Sequence, residues 1–240
     1  MRLLDRILGR KKLKVNTEKT SSVPSIERNR NENGVKIMQF YACIDKMLAE
    51  KRYVAKSEYV SLVKQYDETI NFFDVLTQSG MLYNFCSENG IDSDDISKVI
   101  HIYNNIEDTF DKHNEEYISW AIQEEKDYLD NILKSVDPEV VLDEDQRKVI
   151  LTDEDYCLVI AGAGAGKTTT VAAKVKYLVD KKGIDPSQIL VVSFTNKAVN
   201  ELKEKIQDAL GVPCPIATFH SAGNAIIHKN SPDEKLNIVD

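Results

Sequence analysis

From Val35 to Val136 the apolar side chains recur at helical spacing. Ile37, Phe40, Tyr41, Ile44, Met47 and Leu48 make one stripe, and Val60, Val63, Tyr66, Ile70, Phe73 and Leu76 make the next. Steps of three and four place such positions on one face of an α-helix. A shorter stretch around Met81–Cys86 stops at Asn89-Gly90, a turn signal. Asp92 or Ser93 then caps a long run through Ile96, Val99, Ile100, Tyr103, Ile106, Phe110, Tyr117, Ala121, Leu129, Ile132, Leu133 and Val136. The run is expected to break at most once, to suit a helical hairpin or projecting pair, and to end at Asp137-Pro138. Residues 15–34, rich in Asn, Ser, Thr and charge with Pro24 and Gly34, read as a linker. Before them, Leu3, Leu4, Ile7 and Leu8 fall on one side of a short basic helix. That helix could dock on a membrane surface, a nucleic acid or a protein groove; a frayed basic tail is the simpler reading.

Beyond residue 140 the pattern changes. Cys157–Ile160 is a continuous apolar run, which predicts a strand buried on both faces. Small residues follow, and Val171, Val175 and Leu178 resume helical spacing. Gly183 to Pro186 make a turn, and Ile189–Phe194 reads as a second buried strand. The next helix should carry Ala198, Leu202, Ile206 and Leu210 inward, stopped by Gly211 and Pro213. A short strand, Pro215–Thr218, leads into a last helix to about Lys229. Strand and helix in alternation imply a parallel sheet with right-handed crossovers. The expected organisation is a tail and linker over 1–34, an all-α domain over 35–136, and an α/β segment over 137–240.

Composition narrows this little; charge does more. The 240 residues carry a net charge of −8, unevenly spread. Residues 1–36 hold ten Lys/Arg against four Asp/Glu, whereas residues 37–140 hold nine against twenty-one. The acidic middle is a poor surface for nucleic acid, and either end is a better one. Glu115-Glu116 and Glu124-Glu125 read as a solvated face, and Trp120 as core. No apolar run approaches the length of a membrane span. Cys43, Cys86, Cys157 and Cys214 are scattered, with no CxxC pair, as reduced cytoplasmic thiols would be. His101, His113, His220 and His228 have no metal-ligand spacing, which argues against zinc.

The chemistry concentrates in Cys157–Thr170, CLVIAGAGAGKTTT. A strand, a glycine-rich turn and a helix in that order make a phosphate-binding loop. Gly162, Gly164 and Gly166 leave backbone N–H groups free of Cβ atoms, and the following helix aims its unpaired N–H groups at the same place. Lys167 supplies a mobile cation for β- and γ-phosphates, and the Thr168 hydroxyl can ligate Mg²⁺. Upstream, Leu142–Ile150 is a capped helix start whose Gln146 amide could both donate to and accept from an adenine edge. In a parallel sheet ligands gather at the carboxyl ends of strands. Those ends hold Ser193-Phe194-Thr195-Asn196-Lys197 and Thr218-Phe219-His220-Ser221. Such residues can bind a phosphate backbone and stack on bases. The plainer alternative is that Ser193, Thr195 and Ser221 are helix caps and both phenylalanines are buried.

Leu142–Ile150, Ala161–Thr170, Val192–Ile206 and Ala217–Gly223 resemble, in order, the Q motif and motifs I, Ia and Ib of the UvrD/Rep group of superfamily 1 DNA helicases, and are most similar to the DNA helicase IV branch. The resemblance covers the last two-fifths of the chain. It implies an α/β P-loop NTPase of the RecA-like kind, here the first part of helicase domain 1A. It further implies an ATP-driven 3′–5′ motor on single-stranded DNA. ATP would meet Gln146, Ala161, Gly162, Ala163, Gly164, Ala165, Gly166, Lys167, Thr168 and Thr169, with Mg²⁺ on Thr168. Catalysis would use Lys167 and Thr168. Single-stranded DNA would meet Ser193, Phe194, Thr195, Asn196, Thr218, Phe219 and His220. Ala165 stands where serine is common, and Leu142-Asp143 where Leu-Asn is common. Up to Asp240 no Asp-Glu pair follows a later apolar strand, and no second motor domain is present. The expectation is therefore the front of a helicase, a fragment or a truncated product, in which ATP is bound but not turned over. The alternative is an interaction module whose helical region recruits a protein partner while the motor segment only binds nucleotide.

Overall fold

The computed structural model describes residues 23–230. Helices dominate, and the described residues hold one small sheet of two parallel strands. The helices are α1 (Val23–Ala49), α2 (Lys56–Gln78), α3 (Leu82–Asn89), α4 (Ser93–Asn104), α5 (Ile106–Glu124), α6 (Lys126–Asn131), α7 (Glu144–Leu151) and α8 (Lys167–Asp180). Strand β1 (Val191–Ser193) precedes α9 (Asn196–Lys203), and β2 (Ile216–Thr218) precedes α10 (Phe219–Asn230). The chain forms two compact units.

One unit comprises the described residues up to Ala42 together with Tyr66–His101. The stripes read from the sequence bury as expected: Ile37, Phe40, Ile70, Phe73, Ile96 and Val99 are inaccessible to solvent. Aromatic rings carry much of the packing, with Phe85 edge-on to both Phe72 (5.4 Å) and Phe73 (5.5 Å). Asp92 caps α4 by accepting from the Asp94 N–H at 2.8 Å, and Gly90 ends α3 in the left-handed region. The expected linker over residues 15–34 is corrected from Val23 onward, because α1 begins there and runs through Gly34; residues 15–22 lie outside the described residues. Pro24 sits in the first turn, where its missing N–H costs nothing. Gly34 is buried, and a Cβ added there would meet Ile91 Cδ1 at 2.5 Å. That glycine marks a close approach rather than a flexible joint. The tail stripe of Leu3, Leu4, Ile7 and Leu8 lies outside the described residues.

The other unit holds Cys43–Gln65 and the chain from Ile102 onward. The long apolar run breaks twice rather than at most once, at Asn105 and at Glu125, giving α5 and α6. Buried Asn114 on α5 both donates to the Val54 carbonyl and accepts from the Val54 N–H, each at 2.9 Å, and so stands in for a strand partner. Tyr59 stacks on Phe110 with ring centroids 4.8 Å apart. The main core joins Leu129, Leu133, Ile150, Leu151, Ala172, Ala173, Val175, Leu202, Ile206 and Cys214.

The sheet is smaller than the sequence implies. Ile189–Phe194 contracts to Val191–Ser193, and Pro215–Thr218 to Ile216–Thr218; the two pair in parallel, Val191 with Ile216 and Ser193 with Thr218. Cys157–Ile160 is not a buried strand. It forms no ladder, and Leu158 is 85% and Ile160 90% exposed. A run of apolar residues becomes a buried strand only when strands flank it on both sides, and none of the described residues pairs with it. On α8, Val175 is buried as the spacing implies, but Val171 is exposed and Ala172 and Ala173 face the core instead. Ala198 is only half-buried, with Val199 inside in its place, and the helix after α9 widens into a π-turn over Glu204–Ala209. No helix among the described residues is long and apolar enough to cross a membrane.

Candidate functional site

Helix α7 starts on a reciprocal cap. The Asp143 carboxylate accepts from the Gln146 N–H at 2.8 Å, and the Gln146 carboxamide oxygen accepts from the Asp143 N–H at 3.0 Å. This arrangement satisfies two of the orphan donors at a helix start. Replacing Asp143 with Ala is expected to lower stability by about 0.5–2 kcal/mol. Urea denaturation checks this, with Asp143→Ser expected to restore most of the loss.

The other half of the Gln146 amide turns toward the glycine-rich loop. Its Nε2 lies 3.4 Å from the Ala165 carbonyl oxygen, and a Cβ on Gly166 would come within 2.6 Å of it. Gly166 is in the left-handed region at φ 74°, so its backbone favours glycine. The loop closes on itself through Ala165 N–H to the Gly162 carbonyl, and Gly166 caps α8 by accepting from the Thr170 N–H at 2.8 Å. Lys167 opens α8, whose first-turn N–H groups therefore face the loop. Its ammonium folds back over the turn and donates to the Ala161 (3.1 Å) and Gly162 (2.6 Å) carbonyls. Gly162, Ala163, Gly164 and Ala165 are exposed, while Ala161, Thr168 and Thr169 are half-buried.

A second cluster forms at the carboxyl ends of the two strands. The register that pairs Ser193 with Thr218 puts Phe194 and Phe219 at equivalent positions, one residue past each strand. Both rings face solvent, Phe194 at 82% and Phe219 at 72% exposure. The plainer alternative fails for the phenylalanines and holds, of the three hydroxyls, only for Thr195. Thr195 caps α9 by accepting from the Ala198 N–H, and Thr218 accepts from the Ser221 N–H, each at 3.2 Å. Ser193 is half-buried within β1, whereas Asn196 and His220 are exposed in the first turns of α9 and α10.

Residues 142–238 match the UvrD/REP helicase N-terminal domain family. A probable DNA helicase II homolog of Mycoplasma capricolum is 40% identical over 97 residues, which is 39% of this chain and 12% of that protein. The ATP-dependent DNA helicase PcrA of Staphylococcus aureus is 36% identical over 90 residues, covering 36% of this chain and 12% of the relative. A putative ATP-dependent DNA helicase of Bacillus subtilis, YjcD, is 39% identical over 104 residues, or 40% of this chain and 14% of the relative. Residues 142–238 are a UvrD/Rep-type helicase segment. The chain spans about an eighth of the length of these relatives (12–14%).

Two side chains that the sequence reading passed over hold the UvrD/Rep-type segment together. Arg147 donates to the Leu142 carbonyl and pairs with Asp130, whose carboxyl it holds below the usual range. Lys174, half-buried on α8, donates to the Ile150 (2.8 Å) and Thr152 (2.5 Å) carbonyls at the far end of α7. Burial lowers its pKa, against a small opposing pull from Asp153. Nothing in a lysine at the middle of an amphipathic helix distinguishes it from a solvated one until the neighbouring helix is in place.

Proposed function

We propose that this chain binds ATP with Mg²⁺ at the glycine-rich loop and single-stranded DNA at the ends of β1 and β2, as the front segment of an ATP-dependent 3′–5′ DNA helicase. The observation that carries the reading is the loop itself. Its glycine backbone turns onto the start of α8, with the Lys167 ammonium 2.6 Å from the Gly162 carbonyl. The donor set fits a triphosphate: backbone N–H groups, a helix start with its positive dipole end, and a cation held only by carbonyls it can exchange for phosphate oxygens. The left-handed backbone at Gly166 favours glycine where the loop turns onto the helix. The P-loop NTPase fold belongs to this same reading.

Each residue then has a task. Lys167 neutralises β- and γ-phosphate charge, Thr168 offers its hydroxyl to Mg²⁺, and the Gln146 amide lies against the loop where a base would be read. Bound Mg²⁺ would supply charge neutralisation between the phosphates. At the strand ends, Asn196, His220 and the helix starts would hold the DNA backbone while Phe194 and Phe219 stack on bases.

Titration calorimetry with ATP or ADP and Mg²⁺ tests the assignment. Lys167→Ala is expected to weaken binding by roughly 10- to 150-fold, the range of a hydrogen bond to a charged group, about 1.5–3 kcal/mol. Equal affinities for the two proteins would overturn it.

A further inference from the structure

Helices α7 and α8 touch at two levels. At the first, the Gln146 amide of α7 lies against Ala165 and Gly166, where α8 begins. At the second, the Lys174 ammonium of α8 grips the Ile150 and Thr152 carbonyls, where α7 ends. Lys167 and Lys174 are seven residues apart, so they share a face of α8 and lie about 10 Å apart along its axis at 1.5 Å per residue. Along α7, Gln146 and the gripped carbonyls are four and six residues apart, a span of roughly 6–9 Å. The two helices thus run in the same sense, matched at both ends. α7 has eight residues, too few to hold a position by its own helical stability.

The geometry assigns Lys174 as a positioning residue that fixes where the Gln146 amide stands relative to the phosphate loop. This inference rests on the nucleotide reading above and deepens it: Lys174 would set base selectivity without contacting nucleotide. Its ammonium is suited to the place, since it satisfies two carbonyls that the end of α7 would otherwise leave orphaned and opposes the negative end of the helix dipole. Thr152 completes the anchor, with its N–H and hydroxyl both donating to the Lys148 carbonyl, at 2.9 and 2.8 Å. Just beyond, Lys182 pairs with Asp153 at 2.9 Å, so the exit from α7 is tied to the end of α8 as well. The lysine's desolvation counts against folding stability, which is consistent with a residue kept for geometry rather than for stability.

The test separates base from phosphate recognition. Affinities for ATP, GTP and inorganic tripolyphosphate, each with Mg²⁺, are measured by calorimetry on the 240-residue wild type and on Lys174→Met and Lys174→Arg. The expected result is that Lys174→Met loses at least about fivefold in the ATP-over-GTP ratio, the worth of a typical hydrogen bond, while tripolyphosphate affinity changes less than roughly twofold. Lys174→Arg, which retains charge and donors, is expected to keep most of the selectivity. If the Met variant does not fold, Lys174→Gln carries the same measurement. An unchanged ATP-over-GTP ratio in Lys174→Met would overturn the positioning role and leave the nucleotide reading standing. Equal loss of ATP, GTP and tripolyphosphate would overturn it too, because Lys174 would then support the loop and not the base. A wild type that binds tripolyphosphate but does not prefer ATP would overturn both the role of Gln146 and the inference built on it.

Discussion

Purified 1–240 should bind ATP and release phosphate no faster than background, with or without saturating single-stranded DNA. Phosphoryl transfer needs charge stabilisation and a positioned water, and a phosphate loop supplies only part of the first. An arginine at the γ-phosphate is worth about 10³–10⁵ in rate in related nucleotide hydrolases. Arg147, the single arginine of residues 141–240, is tied to Asp130 and to the Leu142 carbonyl. A positioned base contributes typically a further 10²–10⁴, yet among the described residues no Asp-Glu pair follows β1 or β2. Steady-state phosphate release measures the outcome, with Lys167→Ala as the control for contaminating activity. Helicase-like turnover that disappears in the control would mean that Glu201, Glu204 or acidic residues of the helical region supply the carboxylate.

The second large effect concerns DNA. The double substitution Phe194→Ala and Phe219→Ala is expected to weaken single-stranded DNA binding by about 1–3 kcal/mol per ring. Both rings are well exposed, so the loss should appear in binding while folding stability stays within about 0.5 kcal/mol of wild type. Fluorescence anisotropy with a labelled oligonucleotide, run beside urea denaturation, measures the two together. The remaining affinity should be backbone-directed, with log affinity falling against log salt at roughly −0.7 per phosphate neutralised and little sequence preference. Wild-type DNA affinity in the double mutant would remove these rings from the site.

Much of this was legible in the residues, and the failures have physical causes. Helical stripes such as Ile37–Phe40–Ile44 and the cap at Asp92 depend on neighbours three or four residues away, which a sequence displays directly. The capped helix start at Leu142–Ile150 was visible for the same reason, whereas its reciprocal Asp143–Gln146 bonds were not. Gly34 was misread because glycine marks both flexible joints and close approaches, and only the position of Ile91 separates the two. Cys157–Ile160 was misread because parallel strands are completed by remote segments, about which a local apolar run is silent. Lys174 was passed over because its partners, the Ile150 and Thr152 carbonyls, are backbone atoms that no side-chain pattern reveals. At the candidate site the loop glycines and Lys167 stood out because their spacing is itself the chemistry. The equivalent placement of Phe194 and Phe219 depended on the β1–β2 register instead.

The exposed Cys157–Ile160 segment also has a colloidal consequence. Leu158, Val159 and Ile160 present apolar side chains in a stretch outside any ladder, and Tyr156 beside them is 94% exposed. A short uncharged apolar stretch with free backbone N–H and C=O groups is a template for strand addition between molecules. In this chain it lies immediately before the glycine-rich loop, so self-association at high protein concentration would begin beside that loop. The net charge of −8 opposes such encounters at low ionic strength, and added salt weakens that protection. Concentration and salt therefore act on the availability of the loop as well as on the solubility of the protein.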